Sequence, residues 1–451
     1  MAFIIALAGL VSQGWGARAE VILHESDVFY CNILIGNGRN DDTSRLYLLA
    51  KHNPKGDSYY TIREFSFSKG EWHIAQVCSL PHIGVGGILR GGMFLAQGRN
   101  DGINRLYVTS DSSVLEYTFS KGRWEDTLIV SYSKLLSSLI AAPWRNDDTI
   151  RLYAEMLWRP KIVEISYSEG KWITNEIEGV KGFLVGAGRG RNDDTVRLYT
   201  SEEEITYTDQ GVRIEGLPFP LIECIGEGRG DDTVRLYGSC VTTIDDAGEI
   251  WEFTFRGGRW DSTLVDRYPF LIDVGPIPMR VGVARHDGHK RLYFIGYKRD
   301  TYPRKGGLYE YTFNNGEWWW EFVPFPDSSV KRFSKSKSSL GKVINGVCPL
   351  AIGKVGDDDT SRVYCITSAG LVAVNMEATG MEERSPSENT SISVSLSPNP
   401  SYGKIKICVY TIFPGKLKLY NSLGQLVKEF YVSEKEGIPF SGMELTDMEN
   451  L

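Results

Sequence analysis

Apolar and polar residues alternate with a period of two through many short stretches of this chain. Glu116-Tyr117-Thr118-Phe119, Glu252-Phe253-Thr254-Phe255 and Glu310-Tyr311-Thr312-Phe313 are three of them. A period of two sends successive side chains to opposite faces of a strand, so each stretch reads as a half-buried β-strand. A glycine turn and a tryptophan follow at once, as in Ser120-Lys121-Gly122-Arg123-Trp124 and Asn314-Asn315-Gly316-Glu317-Trp318. That punctuation predicts a tight hairpin into one more strand.

Upstream of each such pair lies a second phrase. It spans Gly38–Tyr47, Gly98–Tyr107, Trp144–Tyr153, Gly190–Tyr199 and Gly228–Tyr237, with looser copies ending at Tyr293 and Tyr364. Its Asn-Asp-Asp core suits a chain reversal, because Asn and Asp accept left-handed and Asx-turn geometry. An apolar, glycine-containing strand precedes it and an Arg-Leu-Tyr strand follows. Each unit therefore parses into four strands. Seven units at a spacing of about 50 residues fall in the range of propeller blades. The fold expected is all-β: a seven-bladed β-propeller over residues 20–381, with small residues of the first strand crowding an axis.

Two details sharpen this picture. The Arg of the second strand and the Glu of the third recur together whatever the loop between them: Arg105 with Glu116, Arg151 with Glu164, Arg235 with Glu252, Arg291 with Glu310. The expected reading is a cross-strand ion pair, with Arg105 directly opposite Glu116, each pair worth roughly 0.2–1 kcal/mol. The last unit keeps Arg362 but has Ala373, so no pair is expected there. That unit also runs out after its third strand, and Val21-Ile22-Leu23 is expected to supply the missing outer strand and close the ring.

Bulk properties narrow the function. At 451 residues, with 42% hydrophobic and 24% charged residues, the chain is a globular protein large enough to need repetition or several cores. A formal net charge of −7 supplies no basic field, which argues against a nucleic-acid partner. Ala2 to Val11 is apolar and ends near Ala17-Arg18-Ala19, so residues 1–19 read as a secretory signal peptide. No later segment is long and apolar enough to span a bilayer as a helix. Seven irregularly spaced cysteines specify no disulfide framework.

The composition changes after Met381. Residues 382–393 are polar and Ser-rich, as a linker would be. Beyond them stand Pro398-Asn399-Pro400, the strand Lys404-Ile405-Lys406-Ile407, and Tyr420 to Val427 around Gly424. This combination resembles the type A C-terminal sorting domain of the bacterial type IX secretion system. The resemblance covers residues 394–451 and implies a small β-sandwich-like domain, export across the outer membrane by that secretion machinery, and a secreted or outer-cell-surface location. The usual continuation to a basic terminal strand does not follow, so the module reads as truncated.

Candidate chemistry is sparse. There is no His-Glu-x-x-His, Gly-x-Ser-x-Gly or phosphate-binding loop, and no organic cofactor is implied. The repeated aspartates read as turn formers, with weak calcium sites as the alternative; the nearest stretch to a calcium loop, Asp357-Asp358-Asp359, is the candidate metal site although it lacks alternate spacing. Trp318, Trp319 and Trp320 are consecutive on one strand and cannot all point inward, which marks them as a candidate binding patch. The overall rhythm is loosely similar to lectin-like propellers of the fucose-lectin and tectonin type. The reading is a non-catalytic propeller binding carbohydrate, a surface polymer or a protein. The alternatives are an extracellular glycoside hydrolase or polysaccharide lyase with an axial site, and a structural surface or matrix protein.

Overall fold

The computed structural model describes residues 18–23, 28–52, 59–81, 92–110, 112–132, 136–157, 159–219, 221–242, 247–267, 279–298, 305–325, 350–367 and 370–376 in one unit. It also describes strands at 393–399, 404–410, 415–420 and 426–432. The expected signal peptide lies outside these residues except for its last two, and the expected linker lies outside them except for Ser393, which opens a strand.

Strand β1 (Arg18–Leu23) comes first, followed by the first complete blade: β2 (Val28–Gly36), β3 (Arg45–His52), β4 (Tyr59–Ser68) and β5 (Glu71–Pro81). These four form one antiparallel sheet in chain order, and five further sheets repeat that order. The seventh sheet is different. Its three strands, Leu350–Gly353, Arg362–Thr367 and Gly370–Asn375, are completed by β1, which pairs Val21 with Val372 and Glu20 with Ala373. The innermost strands touch in sequence around the ring, and the last touches β2. The protein is a seven-bladed β-propeller closed by its N-terminal strand. β1 begins at Arg18, so cleavage after Ala19 would remove two of its ladder pairs and leave those of Glu20, Val21 and Leu23.

The repeat is a blade-to-blade adhesive. Leu46, Leu106, Leu152, Leu198, Leu236 and Leu292 of the Arg-Leu-Tyr strands are fully buried, as are the tyrosines that follow them. The hairpin tryptophans lie over the tyrosine of the preceding blade, edge to face: Trp124 on Tyr47, Trp172 on Tyr107, Trp318 on Tyr237, and Trp72 on Tyr364 across the ring closure. Such pairs add about 0.5–1.5 kcal/mol beyond the area they bury. Gly38, Gly98 and Gly228 make room for them, since a Cβ there would lie 2.5–2.7 Å from the tyrosine hydroxyl. One seam reverses the arrangement. The fourth blade has Val212 instead of a tryptophan, and Trp144 of the third blade occupies the glycine position. Trp144 packs on Tyr153 and Tyr207 and donates its indole N–H to Ile205 O at 2.9 Å.

The described residues of the C-terminal unit form two antiparallel strand pairs. Ser393–Asn399 pairs with Lys404–Tyr410, and Gly415–Tyr420 pairs with Leu426–Val432. Pro398 and Asn399 end the first of these strands; Pro400 and Gly424 lie outside the described residues. Among the described residues of the whole chain there is no helix.

Candidate functional site

Of the expected ion pairs, Arg105–Glu116, Arg235–Glu252 and Arg291–Glu310 come within 3.5–3.8 Å, in another geometry than the one expected, and Arg151 pairs with Asp147 instead of Glu164. Tyr107, not Arg105, stands opposite Glu116 in the ladder, and Tyr153, Tyr237 and Tyr293 stand opposite Glu164, Glu252 and Glu310. Because side chains alternate along a strand, the tyrosine and the glutamate share a face, and Tyr107 donates its hydroxyl to Glu116 at 3.0 Å. The close cation is the first arginine of the phrase: Arg99 reaches Glu116 at 2.5 Å, Arg145 reaches Glu164 at 2.5 Å, and Arg229 reaches Glu252 at 2.5 Å. Arg105 sits 3.8 Å from Glu116 and spends its fork on Asp101, with both terminal nitrogens 2.7 Å from the two carboxylate oxygens. Arg151, Arg235 and Arg291 hold Asp147, Asp231 and Asp287 in the same way. The glutamates are buried, so each depends on its arginines. The seventh blade lacks both halves together: Gly356 stands where the first arginine would be, and Ala373 where the glutamate would be.

One aspartate of each of these turns is thereby engaged by an arginine. Hydrogen bonds from Arg105, Arg151 and Arg291 hold Asp101, Asp147 and Asp287 down to about 2. Asp358 is the same aspartate of the last blade and pairs with Arg362 at 2.5 Å, while Asp359 points to solvent beside Lys354. Asp357 uses its backbone N–H, on Phe67 O at 3.0 Å. Among the described residues no group of three or more His, Cys, Asp or Glu is gathered as a cation would require.

The turn asparagines do more than reverse the chain. Asn40, Asn100, Asn146 and Asn192 are left-handed, with φ of 56–59°, and reach the next blade. Asn100 accepts from Ile150 N at 2.7 Å and donates to Ile150 O at 3.1 Å; Asn40 clasps Asn104 and Asn192 clasps Val234 alike. Asn146 makes the accepting half with Val196 N at 2.7 Å.

The tryptophan patch divides. Trp318 is the hairpin tryptophan of its blade, 7% exposed in the seam, and is withdrawn from the candidate surface. Trp319 is half-buried, and Trp320 is 39% exposed with its ring against Tyr309. Of the three, only Trp320 presents an open ring.

With the repeat residues engaged in holding blades together, the axis remains. A cavity of about 600 Å³ runs between the innermost strands, within the range of ligand sites. Leu34, Phe94, Ile140, Gly186, Cys224 and Ala351 stand opposite the repeat tyrosines Tyr47, Tyr107, Tyr153, Tyr199, Tyr237 and Tyr364. The sixth blade puts Arg280 at that level, opposite Tyr293. The next level toward the aspartate turns is aliphatic, with Ile35, Leu95, Ile225 and Val281. Glycines let these strands approach: a Cβ on Gly36 would lie 2.4 Å from Leu95, and one on Gly226 2.7 Å from Val281. Toward the other end the polar lining is Asn32, Ser138, Ser201 and Glu223. Register shifts at Tyr30/Asn32, Leu136/Leu139 and Ile222/Cys224 fall at three of these four residues, and bulges of this kind re-aim side chains. Glu223 accepts a hydrogen bond from Ser239. It is the only carboxylate among the described lining residues, whereas glycoside hydrolysis uses two.

No protein-family description matches this chain, and no curated protein matches it. Among solved structures, an Agrocybe aegerita lectin described as specifically recognising non-reducing terminal N-acetylglucosamine aligns with a TM-score of 0.39. Its identity is 11%, over 67% of this chain and 80% of its own. The WD40 domain of SCAP from fission yeast aligns with a TM-score of 0.40 at 9% identity, over 79% of this chain and 94% of its own. Scores of this size carry no argument, and the assignment as a seven-bladed β-propeller rests on the sheet order and the contacts around the ring.

Proposed function

We propose that this chain is a secreted or cell-surface, non-catalytic propeller that binds a carbohydrate, a surface polymer or another protein at its axial channel. The observation that carries the reading is the contrast between the repeat and the axis. Arginines, glutamates, aspartates and most tryptophans of the repeat are engaged within and between blades, while the channel combines apolar walls with a few polar groups that differ from blade to blade. Ligand sites have that composition. The hydrolase alternative draws no support from a lining whose described residues include one carboxylate.

Export through the type IX machinery is part of the proposal and rests on the resemblance of residues 394–451. The full chain applied to glycan and polysaccharide arrays tests the binding half. Retention of a defined set of polymers is expected; no retention by protein with an intact β-sheet spectrum would sink it. Deleting residues 394–451 in a bacterium that carries the secretion system tests the other half. Retention of the protein in the cell is expected, and undiminished export would refute the sorting role.

A further inference from the structure

We propose that the axial channel opens toward the aspartate turns beside the third and fourth blades, and that this mouth admits the end of an unbranched, uncharged glycan chain. The inference rests on the preceding reading, that the channel is the binding site, and specifies where its occupant enters and of what class it is. Each innermost strand ends in two residues that stand opposite the Leu or Val and the Arg of the second strand. Five blades put Ile35, Leu95, Ile225, Val281 or Ile352 in the first of these positions. Each of the five lies against a glycine in the second position of the preceding blade. Leu95 on Gly36 and Val281 on Gly226 are described above; a Cβ on Gly188 would lie 3.3 Å from Ile225, one on Gly282 2.9 Å from Ile352, and one on Gly353 3.5 Å from Ile35. The third and fourth blades break the rule on both sides at once. Ala141 and Ala187 take the first position, and the second position before them holds Ala96 and Ala142. An alanine methyl fills the space that a branched side chain would need, so the aliphatic belt is interrupted over two adjacent blades.

The cavity follows that gap. Its wall ends at Ile35, Leu95, Ile225 and Val281 in four blades, but beside the third and fourth it runs on through Ala142 and Gly188 to Pro143 and Val196. Asn146 holds Val196 N at 2.7 Å, and Trp144 fastens the same seam through Ile205 O, so the gap is framed by fixed groups.

The chemistry of the mouth selects its occupant. Ala142, Pro143, Ala187 and Val196 are uncharged, so a charged polymer would shed water there without gaining a partner. Gly186 and Gly188 carry no side chain over the axial edge of Leu184–Gly188, an edge that pairs with no other described strand. Backbone N–H and C=O groups on such an edge match the hydroxyls of a sugar. A peptide would need a continuous ladder, and the register shift between Leu184 and Gly186 breaks this five-residue edge.

Calorimetric titration of the full chain with cellohexaose, laminarihexaose, maltohexaose, hexagalacturonate and hexaserine tests the assignment. One of the three neutral glycans is expected to bind. Ala142→Gly with Ala187→Ile copies the Gly188–Ile225 contact one seam earlier, and Ala96→Gly with Ala141→Leu copies that of Gly36 and Leu95. Each double variant is expected to close the mouth and to weaken glycan binding about tenfold or more, with an unaltered melting curve. Tighter binding of hexagalacturonate or hexaserine than of every neutral glycan overturns the glycan assignment, as does binding of none. A second measurement reads the mouth without a ligand or a bulky substitution. Ala187→Cys is expected to react with N-ethylmaleimide about tenfold faster than Val281→Cys, whose position packs on Gly226; equal rates overturn the mouth. A polymer retained on arrays equally by wild type and both double variants would remove the mouth while leaving the binding propeller in place.

Discussion

The asparagine clasp can be built where the chain lacks it. Gly230 occupies the clasp position of the fifth blade, with φ of +67°, the backbone that Asn40, Asn100, Asn146 and Asn192 adopt elsewhere. A Cβ on Gly230 would lie 3.9 Å from both Lys290 N and Lys290 O, and Lys290 precedes the repeat Arg291 just as Ile150 precedes Arg151. Nothing obstructs the side chain: the nearest atom, His289 Nδ1, is 3.7 Å away. Gly230→Asn should therefore form both bonds to Lys290. Two solvent-exposed hydrogen bonds at the low end of their range give about 1 kcal/mol, and the smaller unfolded-state entropy of Asn adds a few tenths, roughly offsetting its left-handed backbone cost. For a ring of about 360 residues, an unfolding entropy of about 2.1 cal/mol/K per residue converts 1 kcal/mol into a rise of about 1.3 °C. Scanning calorimetry reads that shift, and hydrogen exchange of peptides containing Lys290 should slow by about fivefold. A lower melting temperature together with unchanged exchange at Lys290 would refute the clasp as an adhesive element.

Four further outcomes follow from the structure. Deleting residues 20–25 removes the outer strand of the seventh blade and should lower the melting temperature sharply, because closing a loop of this size costs on the order of 5 kcal/mol that β1 contacts offset; an unchanged curve would contradict closure by β1. Arg99→Met should cost about 3–5 kcal/mol by stranding buried Glu116, and a double variant with Glu116→Met should recover much of it in urea titrations; strict additivity would deny the coupling. For pH, Asp101, Asp147 and Asp287 are held low in the folded chain. Their contribution is present above the unfolded value near 3.8 and is lost as pH falls toward about 2, each about 0.2–1 kcal/mol after solvent screening. Asp266 has the opposite sign. Burial beside Tyr311 raises it, so its contribution is present at low pH and lost as pH rises through its folded value. Asp266→Asn should melt above wild type at pH 7 and level with it at pH 3, and a lower melting point at pH 7 would contradict this.

Much of the fold could be read from the chain because each blade repeats its own instructions. The Arg-Leu-Tyr strand, the alternating strand and the glycine hairpin are local signals, and the missing fourth strand of the last unit pointed to the N-terminus. What escaped were relations between blades. Arg105 and Glu116 recur together, yet the ladder register places Tyr107 opposite Glu116, and the nearer cation, Arg99, lies in the turn rather than on the strand. Asn100 has the signature of a local turn; its partner, Ile150, is a whole blade away in sequence. Trp144 stands at the glycine position of its phrase, and nothing local marks it for Tyr207 of the next blade, where Val212 takes the place of the hairpin tryptophan.

The most direct test is a hydrogen-exchange footprint of the full chain saturated with a polymer that it retains. Binding at the axis predicts protection of the innermost strands, above all Met93–Ala96, Ile222–Gly226 and Met279–Gly282. Protection confined to the aspartate turns or to the outer strands around Trp320 would contradict it.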